Sequence, residues 1–206
     1  ETVCPQRDNL SVEAWIELGM TLSSAVRAVR LATPILIDSP AAMNLAQKIC
    51  CQTRFPVEAG DTTAIALLHA QQRPFTTSPA LSVYNAHSLH ELVRWGLTHW
   101  SVPIELSRSN LLHLTSVWAT AFPKTALPGI ELTVYGHPML SCSARCFTAQ
   151  AYSRNRAHCQ QICRCHPAGL AVHSIEETKL FHINGPQVCS GELCNLLPCL
   201  DDIRQL

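Results

Sequence analysis

Residues 34–40 read Pro-Ile-Leu-Ile-Asp-Ser-Pro, and this stretch decides how the first two thirds of the chain are interpreted. The run Pro34–Asp38 is short and β-branched, which predicts a strand. Ser39 followed by Pro40 supplies an N-cap and a first-turn proline, which predicts the start of a helix. The stretch therefore predicts a strand that passes directly into a helix.

The order of strand and helix recurs along the chain. Further strands are predicted in the runs 55–58, 73–77, 100–105 and 130–135, with helical patterns between them. Ahead of the first strand, Ser11 is predicted to cap an amphipathic helix that begins at Val12. Within the repeat, Ser88-Leu-His-Glu91 is predicted to open a helix as a capping box. Alternating strands and helices favour a parallel sheet covered by helices.

The size of the chain decides how far this repeat can extend. A complete (β/α) barrel usually needs about 250 residues, whereas this chain has 206. The predicted fold is α/β: a partial or incomplete (β/α) barrel of repeated βα units with an irregular cysteine-rich C-terminal third. We expect one domain over 1–206, with barrel-like units to about residue 136 and a cysteine-rich region over 137–206. Because the chain begins with Glu1, we expect a processed chain or a fragment.

Charge and hydropathy exclude two kinds of partner. Fifteen basic and 15 acidic side chains give a formal net charge of +0, which is unlike the basic surface of a nucleic-acid-binding protein. No apolar run approaches the roughly 18 residues expected of a membrane span, and the N-terminus lacks a signal-peptide pattern. We therefore expect a cytoplasmic protein.

The cysteines are the most unusual feature of the composition. There are 11 in all, and eight fall in the last third: Cys142, Cys146, Cys159, Cys163, Cys165, Cys189, Cys194 and Cys199. An odd number in a long, cytoplasmic chain disfavours a disulfide framework. Cys159-x3-Cys163 does not fit the Cys-x2-Cys pairs common in structural zinc sites. An iron–sulfur cluster and ordinary buried or unpaired cysteines both remain open on spacing alone.

Several segments resemble the UbiV proteins of the collagenase-like peptidase superfamily. The most specific is Gly-His-Pro-Met-Leu-Ser-Cys-Ser-Ala-Arg-Cys-Phe-Thr-Ala at 136–149, followed by Cys-Gln-Gln-Ile-Cys at 159–163 and Phe-His-Ile-Asn-Gly-Pro-Gln at 181–187. The segments 82–86 and 102–108 are also similar. The resemblance extends over nearly the whole chain.

The resemblance implies a cofactor and a set of ligands. In proteins of this kind a [4Fe-4S] cluster is held by one cysteine in a Gly-Glu-x-Val-Cys context and by three in the later motifs. The corresponding residues here are Cys4, Cys146, Cys159 and Cys163, with Cys4 assigned by position. The resemblance also implies oxygen-independent hydroxylation in ubiquinone biosynthesis, in a heterodimer with a UbiU-like subunit. A ubiquinone precursor and prephenate are the expected small-molecule ligands.

Two other functions stay open. The chain could be a non-catalytic scaffold in which zinc or a cluster holds the irregular region together. It could also be a peptidase of the superfamily, although the sequence contains neither a recognisable Ser/His/Asp arrangement nor a His-Glu-x-x-His motif. His158 and His166 flank the cysteines and are interpreted as surface imidazoles rather than ligands.

A few charged residues are candidates for the chemistry of a barrel. Three carboxylates are predicted at the ends of strands, where barrel enzymes place their catalytic groups, and are interpreted as solvated loop residues: Asp38, Glu58 and Glu105. Arg108 could pair with Glu105 or bind a substrate carboxylate. Arg145 is a candidate for tuning a cluster at Cys146, because a nearby positive charge raises the reduction potential.

Overall fold

The computed structural model describes residues 11–155 and 158–203. The chain divides into two compact units, the first extending to Leu132 and the second beginning at Thr133.

The first unit alternates helices and strands. It contains α1 (Val12–Leu22), β1 (Leu31–Ala32), α2 (Pro40–Cys51), β2 (Val57–Ala59), α3 (Thr62–Ala70), β3 (Phe75–Thr77), a 3-10 turn (Pro79–Leu81), α4 (Ala86–Arg94), β4 (Leu97–Ser101), α5 (Arg108–Ala121) and β5 (Gly129–Glu131). The five strands form one parallel sheet in the order β1-β2-β3-β4-β5. The expected α/β class with a parallel sheet is confirmed, and the barrel stays a prediction.

Two strands end before a proline, and their positions differ from those predicted from the sequence. The strand predicted over 34–38 is wrong: β1 lies just before it, and its pairing with β2 continues only to Thr33, whose N–H donates to the Glu58 carbonyl at 2.9 Å. Pro34 has no N–H to extend the ladder. The strand predicted over 100–105 likewise stops at Ser101, shortly before Pro103.

The helix starts agree with the predicted caps in two cases of three. The Ser11 and Ser39 hydroxyls each accept a hydrogen bond from the third backbone N–H beyond them, at 3.2 Å. The predicted capping box at Ser88 is wrong, because α4 begins three residues earlier. There the Asn85 side chain accepts from the Ser88 N–H at 2.8 Å.

A well-buried core lies between the helices and one face of the sheet. Its fully buried side chains include Ile65, Leu68, Phe75, Leu89 and Trp100. Cys50, in the last turn of α2, is part of this core, and burial raises the pKa of its thiol to about 11. A thiol in such surroundings is a packing residue rather than a nucleophile.

The second unit is built from antiparallel strands and short helices. It contains β6 (Tyr135–Gly136), β7 (Met139–Cys142), α6 (Phe147–Ala151), a 3-10 helix (Ile162–Cys165), β8 (Leu170–His173), β9 (Lys179–Asn184), β10 (Gln187–Ser190), β11 (Cys194–Asn195), a 3-10 turn (Leu197–Cys199) and α7 (Leu200–Ile203). A four-stranded sheet has the order β7-β10-β9-β8, and β11 pairs with β6. A turn at Gly185-Pro186 joins β9 to β10.

The second unit has almost no fully buried apolar side chain among its described residues. Among its described residues, Ala149 is the one hydrophobic side chain that is buried. Thr148 beside it is also buried, and its hydroxyl accepts from the Gly185 N–H at 3.0 Å. A unit of this size with so small a core ordinarily depends on metal ions, disulfides or a partner surface for stability.

Candidate functional site

Cys146, the first predicted cluster ligand in the second unit, caps a short helix. It directly precedes α6, and its Sγ accepts from the Ala149 N–H at 3.4 Å. The side chain is half-buried. Arg145, the predicted tuning residue, precedes it in a turn where the Arg145 N–H donates to the Ser143 hydroxyl at 3.1 Å.

Cys159 and Cys163 lie in one tightly wound loop. Gln160 and Gln161 both adopt left-handed backbone conformations, with φ of 50° and 53°. This conformation is costly for residues other than glycine and turns the chain sharply. The Ile162 N–H then donates to the Cys159 carbonyl at 3.2 Å, and a 3-10 helix carries Cys163. Both cysteines are half-buried.

The loop from Cys159 to His166 is tied at both ends to the segment that follows Cys146. The Arg154 guanidinium donates to the Cys159 carbonyl at 3.3 Å. At the other end, the Tyr152 hydroxyl lies 2.5 Å from Nε2 of His166, and the two rings stack with centroids 5.4 Å apart. The sequence suggested that His166 is a surface imidazole. In the structure it also contacts Tyr152.

Cys146, Cys159 and Cys163 therefore lie on connected segments, but they do not form a metal site within the described residues. Within 11–155 and 158–203, no group of three or more His, Cys, Asp and Glu side chains could hold a metal ion. Cys4 lies outside the described residues. Thiolates are the ligands that iron–sulfur clusters require, so the donor chemistry at Cys146, Cys159 and Cys163 fits, and the cluster stays a prediction.

A second polar site occupies the sheet of the first unit. The Arg30 guanidinium forms a bidentate ion pair with the Glu131 carboxylate, at 2.7 and 2.5 Å. The Ser101 hydroxyl also lies 3.4 Å from Glu131. The hydrogen bonds from Arg30 hold the pKa of Glu131 below its usual range. Arg30 precedes β1 and Glu131 ends β5, so the pair joins the two edges of the sheet.

Glu58 lies beside this ion pair. On β2 its neighbours Val57 and Ala59 are completely buried, while α3 packs on the strand, so Glu58 points to the face opposite the helices. Burial raises the pKa of the Glu58 carboxyl to about 7; the Arg30 guanidinium lowers it, and Glu131 raises it. The interpretation of Glu58 as a solvated loop carboxylate is wrong.

The other predicted charged residues are surface groups. Asp38, Glu105 and Arg108 are exposed, and the Tyr84 hydroxyl donates to the Glu105 carboxylate at 3.3 Å. The sequence missed Arg30 and Glu131 because nothing local relates them. Arg30 precedes a strand that was predicted in the wrong place, and 101 positions separate the two residues.

Comparison with family models and with solved structures does not assign the chain to a family. No protein-family model matches the chain, and no solved structure is significantly similar to it. None of the helices in the described part of the chain is long and apolar enough to cross a membrane. The fold and its sites define a mixed α/β protein with a parallel sheet and a separate cysteine-rich unit.

Proposed function

We propose that the protein is the iron–sulfur subunit of an oxygen-independent hydroxylase complex in ubiquinone biosynthesis. It binds a [4Fe-4S] cluster through Cys4, Cys146, Cys159 and Cys163 and acts with a UbiU-like partner on a ubiquinone precursor, with prephenate as a candidate oxygen donor. The resemblance of the cysteine motifs supports this proposal. The observation that carries it is the connection of Cys146, by way of Tyr152 and Arg154, to the Cys159–His166 loop.

Because the core of the second unit is small, a bound cluster would also stabilise its fold. When a unit has almost no fully buried apolar side chain, the free energy of metal binding can contribute directly to its folding. Half-buried cysteines on two linked segments are well suited to that role, since each iron–thiolate bond would join elements that hydrophobic packing leaves loosely held.

The experiment is anaerobic reconstitution followed by iron and sulfide analysis of the full chain. We expect about four iron and four sulfide per chain, with the visible absorption of a cluster. Alanine substitution of Cys4, Cys146, Cys159 or Cys163 should each abolish cluster binding. Cys199→Ala is the matched control, because Cys199 is an exposed cysteine outside the ligand set. Full iron content in Cys4→Ala would overturn the assignment of the fourth ligand.

A non-catalytic metalloprotein is the second candidate, and the small core of the second unit favours it equally. One zinc and no iron after anaerobic purification would support it. Retention of the cluster without anaerobic ring hydroxylation, when the chain is co-purified with a UbiU-like partner, would place the cluster in a structural role. Ring hydroxylation that is lost in Cys146→Ala would support the hydroxylase.

A further inference from the structure

Two histidines of the second unit that are not predicted cluster ligands pack edge to face. His137 lies in the link between β6 and β7, and His182 lies in β9. Their ring centroids are 4.6 Å apart, with an interplanar angle of 74°. Neither residue has a predicted role of its own, and neither belongs to the segments that carry Cys146, Cys159 and Cys163.

The hydrogen bonds of His137 determine which of its nitrogens carries the proton. Nδ1 lies 3.0 Å from the Ser190 carbonyl and 3.1 Å from the Glu192 carbonyl. Carbonyl oxygens only accept, so Nδ1 must carry the hydrogen, and in the neutral ring Nε2 holds the lone pair. This is the arrangement found in metal-binding histidines, where a backbone carbonyl orients the ring through its other nitrogen.

His182 supplies a second nitrogen without a competing hydrogen bond. Its Nδ1 is buried and has no hydrogen-bond partner among the described residues. Burial lowers the pKa of His182, with smaller contributions from His137 and Lys179. A metal-binding imidazole must be neutral, and with the proton on Nε2 the lone pair of His182 lies on Nδ1. A buried nitrogen without a partner is costly, and an ion is one of its standard explanations.

We propose that His137 and His182 together bind one divalent transition-metal ion, such as Zn²⁺ or Ni²⁺, with water completing its coordination. Two imidazoles on one ion have centroids about 5 Å apart when each metal–nitrogen bond is about 2.0 Å, close to the spacing observed here. The His137 ring is exposed, so an ion can reach His137 from solvent, and it reaches the buried Nδ1 of His182 when the His137 ring moves aside. With no third ligand beside them among the described residues, the ion is exchangeable.

Titration with Zn²⁺, followed by NMR of the histidine ring nitrogens in the full chain, tests this proposal. Because the readout is specific to each ring, zinc that binds to cysteines does not obscure it. We expect Nε2 of His137 and Nδ1 of His182 to shift together as one ion binds. His173, an exposed histidine on β8, should not respond.

Substitutions give the second measurement. His137→Phe and His182→Phe should each weaken zinc binding at this site by about tenfold or more, the effect that loss of even an orienting partner can produce. His173→Phe is the matched control and should bind as the parent does. Zinc that leaves both rings unshifted, or wild-type affinity in His137→Phe, would overturn the proposal. His137 is exposed, so its variant is informative even if His182→Phe fails to fold.

Discussion

Glu58 shows how its surroundings can change the chemistry of a single residue. Its sequence context, at the end of a short apolar run, is that of many solvated carboxylates. In the folded protein it lies on the polar face of the sheet beside the Arg30–Glu131 ion pair, and burial dominates its titration. A carboxyl with a pKa near 7 exchanges its proton at neutral pH, the property required of a general acid or base.

Glu58 should make stability depend on pH. Its pKa is about 7 in the folded protein, compared with an ordinary value of 4.5. Between these values the folded state holds the proton more tightly than the unfolded chain does, so stability falls as pH rises through this range. We expect Glu58→Gln to be more stable than the parent at pH 8, by about 1–3 kcal/mol. Urea unfolding between pH 4.5 and 8 measures the difference.

The control for this prediction is a carboxylate that lies apart from Glu58 and the Arg30–Glu131 ion pair. Glu105 is exposed on the same unit, and Glu105→Gln is the matched control in the same urea series. Identical pH slopes in Glu58→Gln and in the parent would show that Glu58 does not titrate in this range.

At the scale of elements, the sequence predicts which helices and strands exist, and in what order, better than it predicts where each one begins and ends. The alternation of strands and helices in the first unit was predictable because each element has a local periodicity. The ends of β1 were not, since they depend on which residues pair with Val57 and Glu58 and on the missing N–H of Pro34. Competition between neighbouring capping residues also decides where a helix begins, as the start of α4 shows.

Asn85 rather than Ser88 should carry the capping energy of α4. Asn85→Ala removes the side-chain acceptor that receives the Ser88 N–H and should destabilise the protein by about 1 kcal/mol. Ser88→Ala, the matched control within the same turn, should change stability by a few tenths of that amount. The free energy of unfolding in urea measures both. A larger loss of stability in Ser88→Ala than in Asn85→Ala would support the predicted capping box instead.

In the candidate sites, too, continuous motifs could be predicted from the sequence, whereas contacts between distant residues could not. The motifs around Cys146 and Cys159–Cys163 are continuous in sequence, which is why they could be singled out without a structure. Their connection through the hydrogen bond of Tyr152 with His166 could not, because both residues are common surface types. Arg30 and Glu131 are brought together only by the curvature of the sheet.

At the scale of the first unit, the Arg30–Glu131 ion pair indicates how strongly the parallel sheet curves. Four spacings of about 4.8 Å separate the outer strands of five, so in a flat sheet they would be roughly 19 Å apart. An arginine and a glutamate cannot bridge that distance end to end. The sheet must therefore curl towards the face that carries Glu58, and its sequential strand order is the one a barrel requires.

A double-mutant cycle can measure what this edge-to-edge contact contributes. The two side chains are 28% and 31% exposed, so solvent screens the ion pair only in part. We expect Arg30→Met and Glu131→Gln to show a coupling free energy of about 1–2 kcal/mol in urea unfolding. Arg30→Met should also raise the pKa of Glu58 further, because the guanidinium now lowers it. Additive effects of the two substitutions, with an unchanged Glu58 titration, would mean that the pair does not hold the curved sheet together.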